Sequence, residues 1–294
     1  MTPTRRTSTG PDRHLTAMRI ALAQLAAGPD RTANLERCLA AMEQAKRGGA
    51  DLVAFPEVIL DRFFPQRAGD REALSLAEPV PGPVTERLAE QARRLGLTTV
   101  FNLYELDASG RRFDSSPVID ADGSLLGVTR MFHITDYEGF HEQSYYQPAP
   151  PPAAGGRLPV YATRAGRIGV AVCYDRHYPE VMRGLGVAGA ELVVIPQAGT
   201  VGEWPEGLFE AEVRAAAFQN GYYAALVNRV GREDRLEFSG ESFVVDPEGT
   251  VVARAGSREE DLLLADVDLA RCAGSTARRL FWRDRRPEIY GGWL

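Results

Sequence analysis

The stretch GVAVCYDRHYPEV, residues 169–181, sets the pattern for the rest of the chain. A short apolar run ends at Cys173, polar and charged residues follow at once, and the segment 179–190 is predicted to be a helix. Such a buried strand followed by a helix is typical of α/β folds, in which ligand chemistry gathers where the strands end. Cys173 is therefore either a buried core residue or a nucleophile whose thiolate is favoured by the start of the helix.

The same alternation of short apolar runs and amphipathic segments extends in both directions from this stretch. Pairs of strands around Gly-containing turns indicate hairpins, so the sheets combine antiparallel pairs with parallel crossovers. We expect one α/β domain over residues 18–294, in which two mixed β-sheets pack face to face with helices outside. The predicted strands are 18–25, 51–57, 98–105, 191–197, 222–230 and 261–268, the hairpins are 115–130, 158–173 and 241–255, and the helices lie between Asp30 and Gly48 and at 83–96, 179–190 and 205–220.

Composition and charge narrow the class of protein. The 294 residues are 44% hydrophobic and 25% charged, which is ordinary for a globular fold. The net charge of −6 and the lack of a Lys/Arg-rich block give no electrostatic footprint for nucleic acid or anionic lipid, so we expect a small neutral or cationic partner. No apolar stretch is long enough to span a bilayer. Residues 1–17 are expected to form a flexible extension, with Met18 as an alternative start of translation.

The three cysteines, Cys38, Cys173 and Cys272, cannot all pair within one chain, and none has the C-x2-C spacing of a zinc site. We therefore expect a reducing, cytoplasmic environment without a disulfide framework. Cys38 shares helical spacing with apolar neighbours, so it is predicted to fill the core. Cys272 has no general base nearby in the sequence and is interpreted as structural.

Several further motifs occur in the order found in one known family. Glu57 ends the segment LVAFPE, and the segments AELVVIPQAG, RAAAFQNGYYAALVNRVG and SGESFVVDPEGTVVA follow the cysteine stretch. From about Met18 to its C-terminus, the chain resembles the nitrilase superfamily of carbon–nitrogen hydrolases. Within it, CYDRHYPE and the tail FWRDRRPEIYG (281–291) are most similar to the branch of β-ureidopropionase and other N-carbamoyl amidohydrolases.

This resemblance implies an αββα four-layer sandwich and an activity that needs no cofactor and no metal. It assigns Cys173 as the nucleophile that attacks an amide, ureido or nitrile carbon, and Glu57 as the general base. Glu142 matches a second glutamate that helps to hold the site, and the backbone N–H of Tyr174 is in place to donate to an oxyanion. From residues alone, Glu57 and Glu142 have an alternative interpretation as solvated loop acids. Family members associate as homodimers or larger assemblies.

The sequence departs from the family at its catalytic lysine. The family segment reads arginine, lysine, any residue, histidine, whereas this chain has Arg130, Met131 and His133 in TRMFHI. Lys46, the only lysine, belongs to the first predicted helix. Loss of one oxyanion donor costs about 10²–10³ in rate. Two hypotheses remain: a hydrolase whose site is rebuilt around Arg130, His133 or a substrate cation, or a non-catalytic binding or regulatory protein on the same scaffold.

Other polar residues have weaker assignments. Tyr137 is expected to contact substrate by its position, and Arg176 and His177 are candidates to recognise a substrate carboxylate. Arg176 has an alternative, an ion pair with Asp175 or Glu180. The Arg- and aromatic-rich tail from about residue 271 is expected to contribute to oligomer contacts rather than to bind nucleic acid. One polar segment collects possible metal ligands without a zinc template, and we interpret it as a loop at the pocket mouth; its members are His133, Asp136, Glu138, His141 and Glu142.

Overall fold

The computed structural model describes residues 17–152 and 156–290 of the chain. The strands are β1 Ala17–Gln24, β2 Leu52–Ala54, β3 Thr98–Val100, β4 Leu103–Leu106, β5 Arg112–Ile119, β6 Leu125–Arg130, β7 Val160–Thr163, β8 Gly166–Val170, β9 Leu192–Gln197, β10 Tyr223–Asn228, β11 Val230–Glu233, β12 Leu236–Ser239, β13 Phe243–Val245, β14 Val251–Arg254 and β15 Asp261–Asp268. The α-helices are α1 Arg31–Arg47, α2 Pro83–Leu95, α3 Pro179–Ala188, α4 Leu208–Asn220, α5 Ala270–Gly274 and α6 Pro287–Tyr290.

Two mixed sheets form the centre of the fold. In the first, β15 pairs antiparallel with β1, the strands β1, β2 and β3 run parallel, and β5 pairs antiparallel with β3, β4 and β6. In the second, the order is β14-β13-β10-β9-β8-β7, with the parallel strands β8, β9 and β10 in the middle. A separate hairpin joins β11 to β12. The mixture of hairpins and parallel crossovers agrees with the prediction.

The distribution of buried side chains gives four layers. One apolar cluster lies between the sheets and contains Leu22 and Val118 from the first sheet and Val170 and Val194 from the second. A second cluster packs the outer face of the first sheet against α1 and α2, and a third packs the outer face of the second sheet against α3 and α4. The α/β fold with helices outside two mixed sheets, expected from the sequence, is therefore confirmed.

Helix α1 illustrates how local sequence sets the element bounds. The side chain of Asp30 accepts from the N–H groups of Thr32 at 2.9 Å and Ala33 at 3.1 Å, which caps the first turn. Its apolar face is buried against the first sheet, and Cys38 is fully buried there, as predicted. Other bounds differ from expectation: the strand predicted at 98–105 is divided into β3 and β4, and the hairpin β11–β12 was not predicted.

In the part of the chain that the structure describes, no helix combines the length and apolar character needed to cross a membrane. Of the extension predicted for residues 1–17, all but Ala17 lies outside the described residues.

Candidate active site

Cys173 follows β8 in a tight turn. It begins the 3₁₀ turn Cys173–His177, so it lies just beyond the strand rather than on it. Its backbone φ of 41° is in the left-handed region, which residues with a Cβ rarely adopt. Strain of this kind is concentrated at functional sites, and a sharp turn between a strand and a helix presents a nucleophile in other hydrolase folds. Cys173 is 7% exposed, so it is almost enclosed.

Glu57 lies in the loop after β2 and is fully buried. The guanidinium of Arg229 donates to the carbonyl oxygens of Glu57 at 2.9 Å and Val58 at 2.6 Å. The N–H of Val58 donates to the side chain of Asn102 at 2.7 Å, and Val58 has a left-handed φ of 47°. These contacts fix the loop that carries Glu57, so the interpretation of Glu57 as a solvated acid is wrong.

The Glu57 carboxyl and the Cys173 thiol interact although they follow strands of different sheets. Burial, followed by the negative charges of Asp114 and Glu142, raises the pKa of Glu57 well above its usual value. Burial and then the charge of Glu57 raise the pKa of Cys173 in the same way. Among the described residues, no donor makes a hydrogen bond of ordinary geometry to either carboxyl oxygen of Glu57. A thiol and a protonatable carboxyl are thus adjacent in a buried site.

Glu142 and Asp114 are the other buried carboxyls of this cluster, and both are fully buried. Burial is the main cause that raises the pKa of Glu142 to about 8 and of Asp114 to about 6. One oxygen of Glu142 accepts from the N–H of Thr135 at 3.3 Å, and Asn102 donates to Asp114 at 2.6 Å. The interpretation of Glu142 as a solvated loop acid is therefore wrong, and Asp114 is an addition that the sequence did not indicate.

Met131 directly follows β6 and is fully buried in the cluster between the sheets. Its N–H donates to the carbonyl of Asp114 at 2.9 Å, which continues the β5–β6 pairing. Residues opposite each other in an antiparallel pair project from the same face, so Met131 and Asp114 are side-by-side neighbours. Neither Lys nor Arg is among the principal influences on the pKa values of Glu57, Asp114 and Glu142. A buried thioether thus occupies the position at which the sequence resemblance implies an ammonium group.

Arg130 is directed away from this cluster. Its guanidinium pairs with Glu105 and lies 4.0 Å from the centre of the Phe113 ring. Successive side chains of a strand alternate between its faces, so Arg130 and Met131 project to opposite sides. The expectation that Arg130 binds substrate or replaces the lysine is not supported by these contacts.

His133 contacts the turn that carries the nucleophile. Its backbone N–H and Nδ1 lie 3.0 Å and 2.7 Å from the carboxyl of Asp175, which also accepts from the N–H of Phe132 at 3.0 Å. The ring stacks on Tyr178 with centroids 3.4 Å apart. Asp175 is fully buried, so it joins the segment after β6 to the nucleophile turn.

Arg176 makes several contacts within the protein, although its Nε and Nη2 have no hydrogen-bond partner among the described residues. It donates to the carbonyl of Cys173 at 3.0 Å and to the side chain of Gln197 at 2.8 Å, and its Nε lies 3.6 Å from Glu212. These contacts support a structural role, although its partner is Glu212 rather than Asp175 or Glu180. Nδ1 of His177 lies 2.8 Å from the same glutamate. The positive charge of Arg176 also lowers the pKa of the Cys173 thiol, against the larger effect of burial.

Several aromatic side chains lie near the cluster, and one of them, Tyr137, interacts electrostatically with Cys173 and Glu142. The ring of Tyr137 lies 6.3 Å from Tyr174 and 6.0 Å from Trp204, and the ring of His177 lies 5.1 Å from both Tyr174 and Trp204. The hydroxyl of Tyr137 donates to Glu203 at 2.6 Å. We call Tyr137, Tyr174, Trp204 and Glu203 the aromatic-acidic wall. Tyr174 comes second in the nucleophile turn, where the first N–H groups have no partner within a helix.

The predicted ligands of a possible metal site have other partners. His141 lies 3.4 Å from Asp136, while Glu142 belongs to the carboxyl cluster and His133 to Asp175. No group of three or more His, Cys, Asp or Glu side chains within residues 17–152 and 156–290 is arranged to hold a metal ion. Cys272 is 5% exposed and donates to the carbonyl of Glu191 at 3.4 Å, which is consistent with a structural role.

Several supporting residues were not singled out from the sequence. Arg229 is fully buried and pairs with Glu233 at 2.5 Å while it holds the Glu57 loop. A charged residue directly after the apolar run YYAALVN is the signal that marks Arg229. Asp114 has a weaker signal, because an acid at an inward position of a strand becomes visible only once the pairing of that strand is known.

Comparisons with known proteins agree with this site. The sequence profile of the carbon-nitrogen hydrolase family matches residues 19–276. An N-carbamoylputrescine amidase from Solanum lycopersicum is 31% identical over 287 residues, which cover 92% of this chain and 93% of that protein. An omega-amidase from Xenopus tropicalis is 30% identical over 279 residues, with coverages of 92% and 96%.

Solved structures show the same fold. A carbon-nitrogen hydrolase from Helicobacter pylori matches with a TM-score of 0.86 and 29% identity over 95% of this chain and 98% of its own. An amidase variant from Nesterenkonia sp. carries the acetamide moiety of fluoroacetamide, covalently added at its active-site cysteine, and matches with a TM-score of 0.78 and 27% identity over 97% and 100% of the two chains. This chain therefore belongs to the carbon-nitrogen hydrolase family.

Proposed function

We propose that the protein hydrolyses a non-peptide C–N bond, in a small amide or N-carbamoyl compound, through a covalent intermediate on Cys173. The observation that carries the proposal is the buried contact between the Glu57 carboxyl and the Cys173 thiol, together with the left-handed backbone of Cys173. A buried nucleophile beside a base is the arrangement that covalent catalysis needs. The covalent adduct on the cysteine of the Nesterenkonia amidase supports the same role for Cys173.

In this mechanism Glu57 accepts the thiol proton as Cys173 attacks the carbonyl carbon. Glu57 then returns the proton to the departing nitrogen, and it later activates the water that cleaves the thioester. A raised pKa makes the Glu57 carboxylate a stronger acceptor of the thiol proton. It also keeps the carboxyl protonated until the leaving nitrogen takes that proton. Glu142 and Asp114 border the base, and the N–H of Tyr174 is the donor proposed for the oxyanion.

Arg176 acts as a positioning residue in the proposal. It holds the carbonyl of Cys173 and thereby the turn that presents the thiol. Its positive charge also favours the thiolate. Tyr137 and His177 remain candidates for substrate contact because both belong to or adjoin the aromatic surface at the approach to Cys173. His133 is a candidate only through its place beside the nucleophile turn.

One observation favours a second function. The buried side chain of Met131 offers an oxyanion neither a positive charge nor a hydrogen-bond donor. If the site therefore does not hydrolyse a substrate, the protein would act as a binding or regulatory module. Three reactive side chains in contact, Cys173, Glu57 and Glu142, favour the enzyme. We further propose that the protein forms homo-oligomers through the region from about residue 271 and resides in the cytoplasm.

Selective alkylation tests the assignment of the nucleophile. We expect iodoacetamide to label Cys173 well ahead of Cys38 and Cys272. Burial raises the pKa of all three thiols, but only Cys173 has a neighbouring carboxyl, Glu57, that can accept its proton. The Cys173→Ala variant should lose the fast label, while the matched Cys272→Ala variant should keep it. Labelling of Cys173 no faster than of the other two cysteines contradicts the proposal.

A further inference from the structure

Among the described residues, no positively charged side chain forms an ion pair with a carboxyl of the cluster. Glu57, Asp114 and Glu142 are fully buried and interact with one another. Both oxygens of Glu57 and one each of Asp114 and Glu142 have no hydrogen-bond partner in the described part of the chain, and neither does the hydroxyl of Tyr146. Tyr146 is 4% exposed, and its pKa is influenced by all three carboxyls, so it belongs to the same buried group. These acceptors suit a ligand that carries several N–H donors.

A neutral amide brings no positive charge to the carboxyl cluster. Attack on its carbonyl carbon creates an oxyanion, which pairs with no cation in the cluster and is opposed by any carboxyl that is ionised. Met131 cannot offset that charge. An amidinium or guanidinium group has the same planar shape, but it carries a positive charge on the carbon that is attacked and up to five N–H donors in a fixed plane. Attack on such a carbon removes charge and forms no oxyanion.

Resting on the proposed cysteine hydrolase function, we propose that this site accepts amidines or guanidines, the cationic nitrogen counterparts of amides and ureido compounds. The unpartnered oxygens of Glu57, Asp114 and Glu142 receive the N–H donors of the cation. Met131 is then the side chain that suits the site, because an ammonium group at this position would repel the substrate.

The reaction balances without any co-reactant except water. The Cys173 sulfur bonds to the central carbon of R–NH–C(NH2)=NH2⁺, and the C=N electron pair moves to nitrogen, which gives a neutral tetrahedral adduct after Glu57 has taken the thiol proton. Glu57 returns that proton to one nitrogen, which leaves as ammonia, and an S-substituted isothiouronium cation remains on Cys173. Water adds to this carbon with Glu57 as base, the C–S bond breaks, and the proton of the new hydroxyl group returns to the Cys173 sulfur. Glu57 then gives the proton that it took from water to the released ammonia. The products are R–NH–CO–NH2 and an ammonium ion.

The approach to the site also favours cations. In the aromatic-acidic wall, Glu203 accepts a hydrogen bond from the hydroxyl of Tyr137, whose ring lies 6.0 Å from that of Trp204. Aromatic faces and a carboxylate attract a positive group, whereas they offer nothing to an anionic one. Glu203 also contributes to the raised pKa of Glu142, so this residue of the wall interacts electrostatically with the carboxyl cluster.

A matched pair of electrophiles tests the inference without knowledge of the natural substrate. The pair is 2-chloroacetamidine and 2-chloroacetamide, which differ only in the cationic or neutral group beside the reacting carbon. The rate of Cys173 alkylation by each is measured by mass spectrometry and divided by its rate with N-acetylcysteine. We expect the normalised rate for the amidine to exceed that for the amide by at least about tenfold, which corresponds to about 1.4 kcal/mol.

Variants and a turnover assay complete the test. Met131→Lys should reverse the preference, and Met131→Leu, which keeps the position apolar, should retain it. Ammonia release should be faster from acetamidine and methylguanidine than from acetamide and methylurea. Labelling of Cys173 with a normalised ratio below about tenfold contradicts the inference but leaves the proposed hydrolase intact. Failure of both electrophiles to label Cys173 contradicts the proposed function itself.

Discussion

The N–H of Met131 donates to the carbonyl of Asp114 at 2.9 Å, so a thioether stands beside a buried carboxyl in the same face of the sheet. Asp114 in turn interacts with Glu57, the proposed base. The side chain at position 131 is therefore placed to influence the base through Asp114. A lysine at position 131 would neutralise a neighbour of the base, whereas methionine leaves the carboxyls to repel one another.

Introducing a lysine at position 131 should raise activity on neutral amides. In Met131→Lys, the new ammonium group would stabilise both the thiolate and the oxyanion, so we expect kcat/KM for small amides or N-carbamoyl compounds to rise by about 10²–10³. Steady-state ammonia release from native and Met131→Lys proteins measures this, with Met131→Leu as the apolar control. Equal rates in all three proteins would show that position 131 does not contact the reacting atoms.

The carboxyl cluster should make stability depend on pH. Burial raises the pKa of Asp114 from 3.8 to about 6 and of Glu142 from 4.5 to about 8 in the folded chain. Groups with a raised pKa in the folded state stabilise it below their unfolded pKa, and that stabilisation is lost as pH rises through the folded value. We therefore expect the contribution of these groups to the free energy of unfolding to decline from about pH 4 to about pH 8.

Urea unfolding of native and Met131→Lys proteins at about pH 5, 6.5 and 8 isolates this effect, since other titrating groups are common to both. An ammonium group lowers the pKa of neighbouring carboxyls, so the variant should lose less stability over this range. The same change in the free energy of unfolding with pH in both proteins would contradict the prediction.

Removal of the Glu57 carboxylate should impair the chemical steps rather than substrate binding. We expect Glu57→Gln to lower kcat by about 10²–10⁴, because the thiol proton then has no acceptor. Glu138, an exposed glutamate of the nearby loop, provides the matched control Glu138→Gln, which should retain native turnover. Single-turnover kinetics with the best substrate of the panel would make the comparison, and native turnover in Glu57→Gln would remove Glu57 from the mechanism.

Arg229 should stabilise the folded protein through its ion pair with Glu233 and its contacts with the loop that carries Glu57. Its guanidinium is fully buried, pairs with Glu233 at 2.5 Å and donates to the carbonyls of Glu57 and Val58. Arg229→Met leaves a buried glutamate without its partner, so we expect a loss of about 3–5 kcal/mol in the free energy of unfolding.

The double variant Arg229→Met/Glu233→Gln should recover part of that loss, because it removes the uncompensated charge. Urea denaturation of the two single variants and the double variant measures the coupling between Arg229 and Glu233. A double variant no more stable than Arg229→Met would contradict this explanation.

Much of the fold and the core of the site could be predicted from the sequence. Strand β15 was predicted with its observed bounds, and Glu57, Cys173 and Glu142 form one cluster because their segments follow neighbouring parts of the two sheets. The division of β3 from β4 was missed, because Asn102 in an otherwise strand-like run supports the Glu57 loop through a contact that is distant in sequence.

The contacts of two arginines that the sequence suggested as substrate-binding residues have physical causes as well. Arg130 was assigned to the site by its place in a motif, but alternation along β6 directs it to the face that carries Glu105. Arg176 follows the nucleophile closely in sequence, yet the turn folds its guanidinium back onto the carbonyl of Cys173. Neither outcome can be read from residue types alone, because both depend on the pairing of strands and turns.

The central claim is that Cys173 performs covalent catalysis in a site without lysine, and intact-protein mass spectrometry tests it most directly. Native protein, Cys173→Ala and Met131→Lys would be incubated with a panel of amides, N-carbamoyl compounds, nitriles, amidines and guanidines while released ammonia is followed. We predict an adduct on the native chain and turnover, both absent from Cys173→Ala. If the native chain forms no adduct and releases no ammonia, while Met131→Lys turns over substrate, the claim would be contradicted and a binding protein indicated.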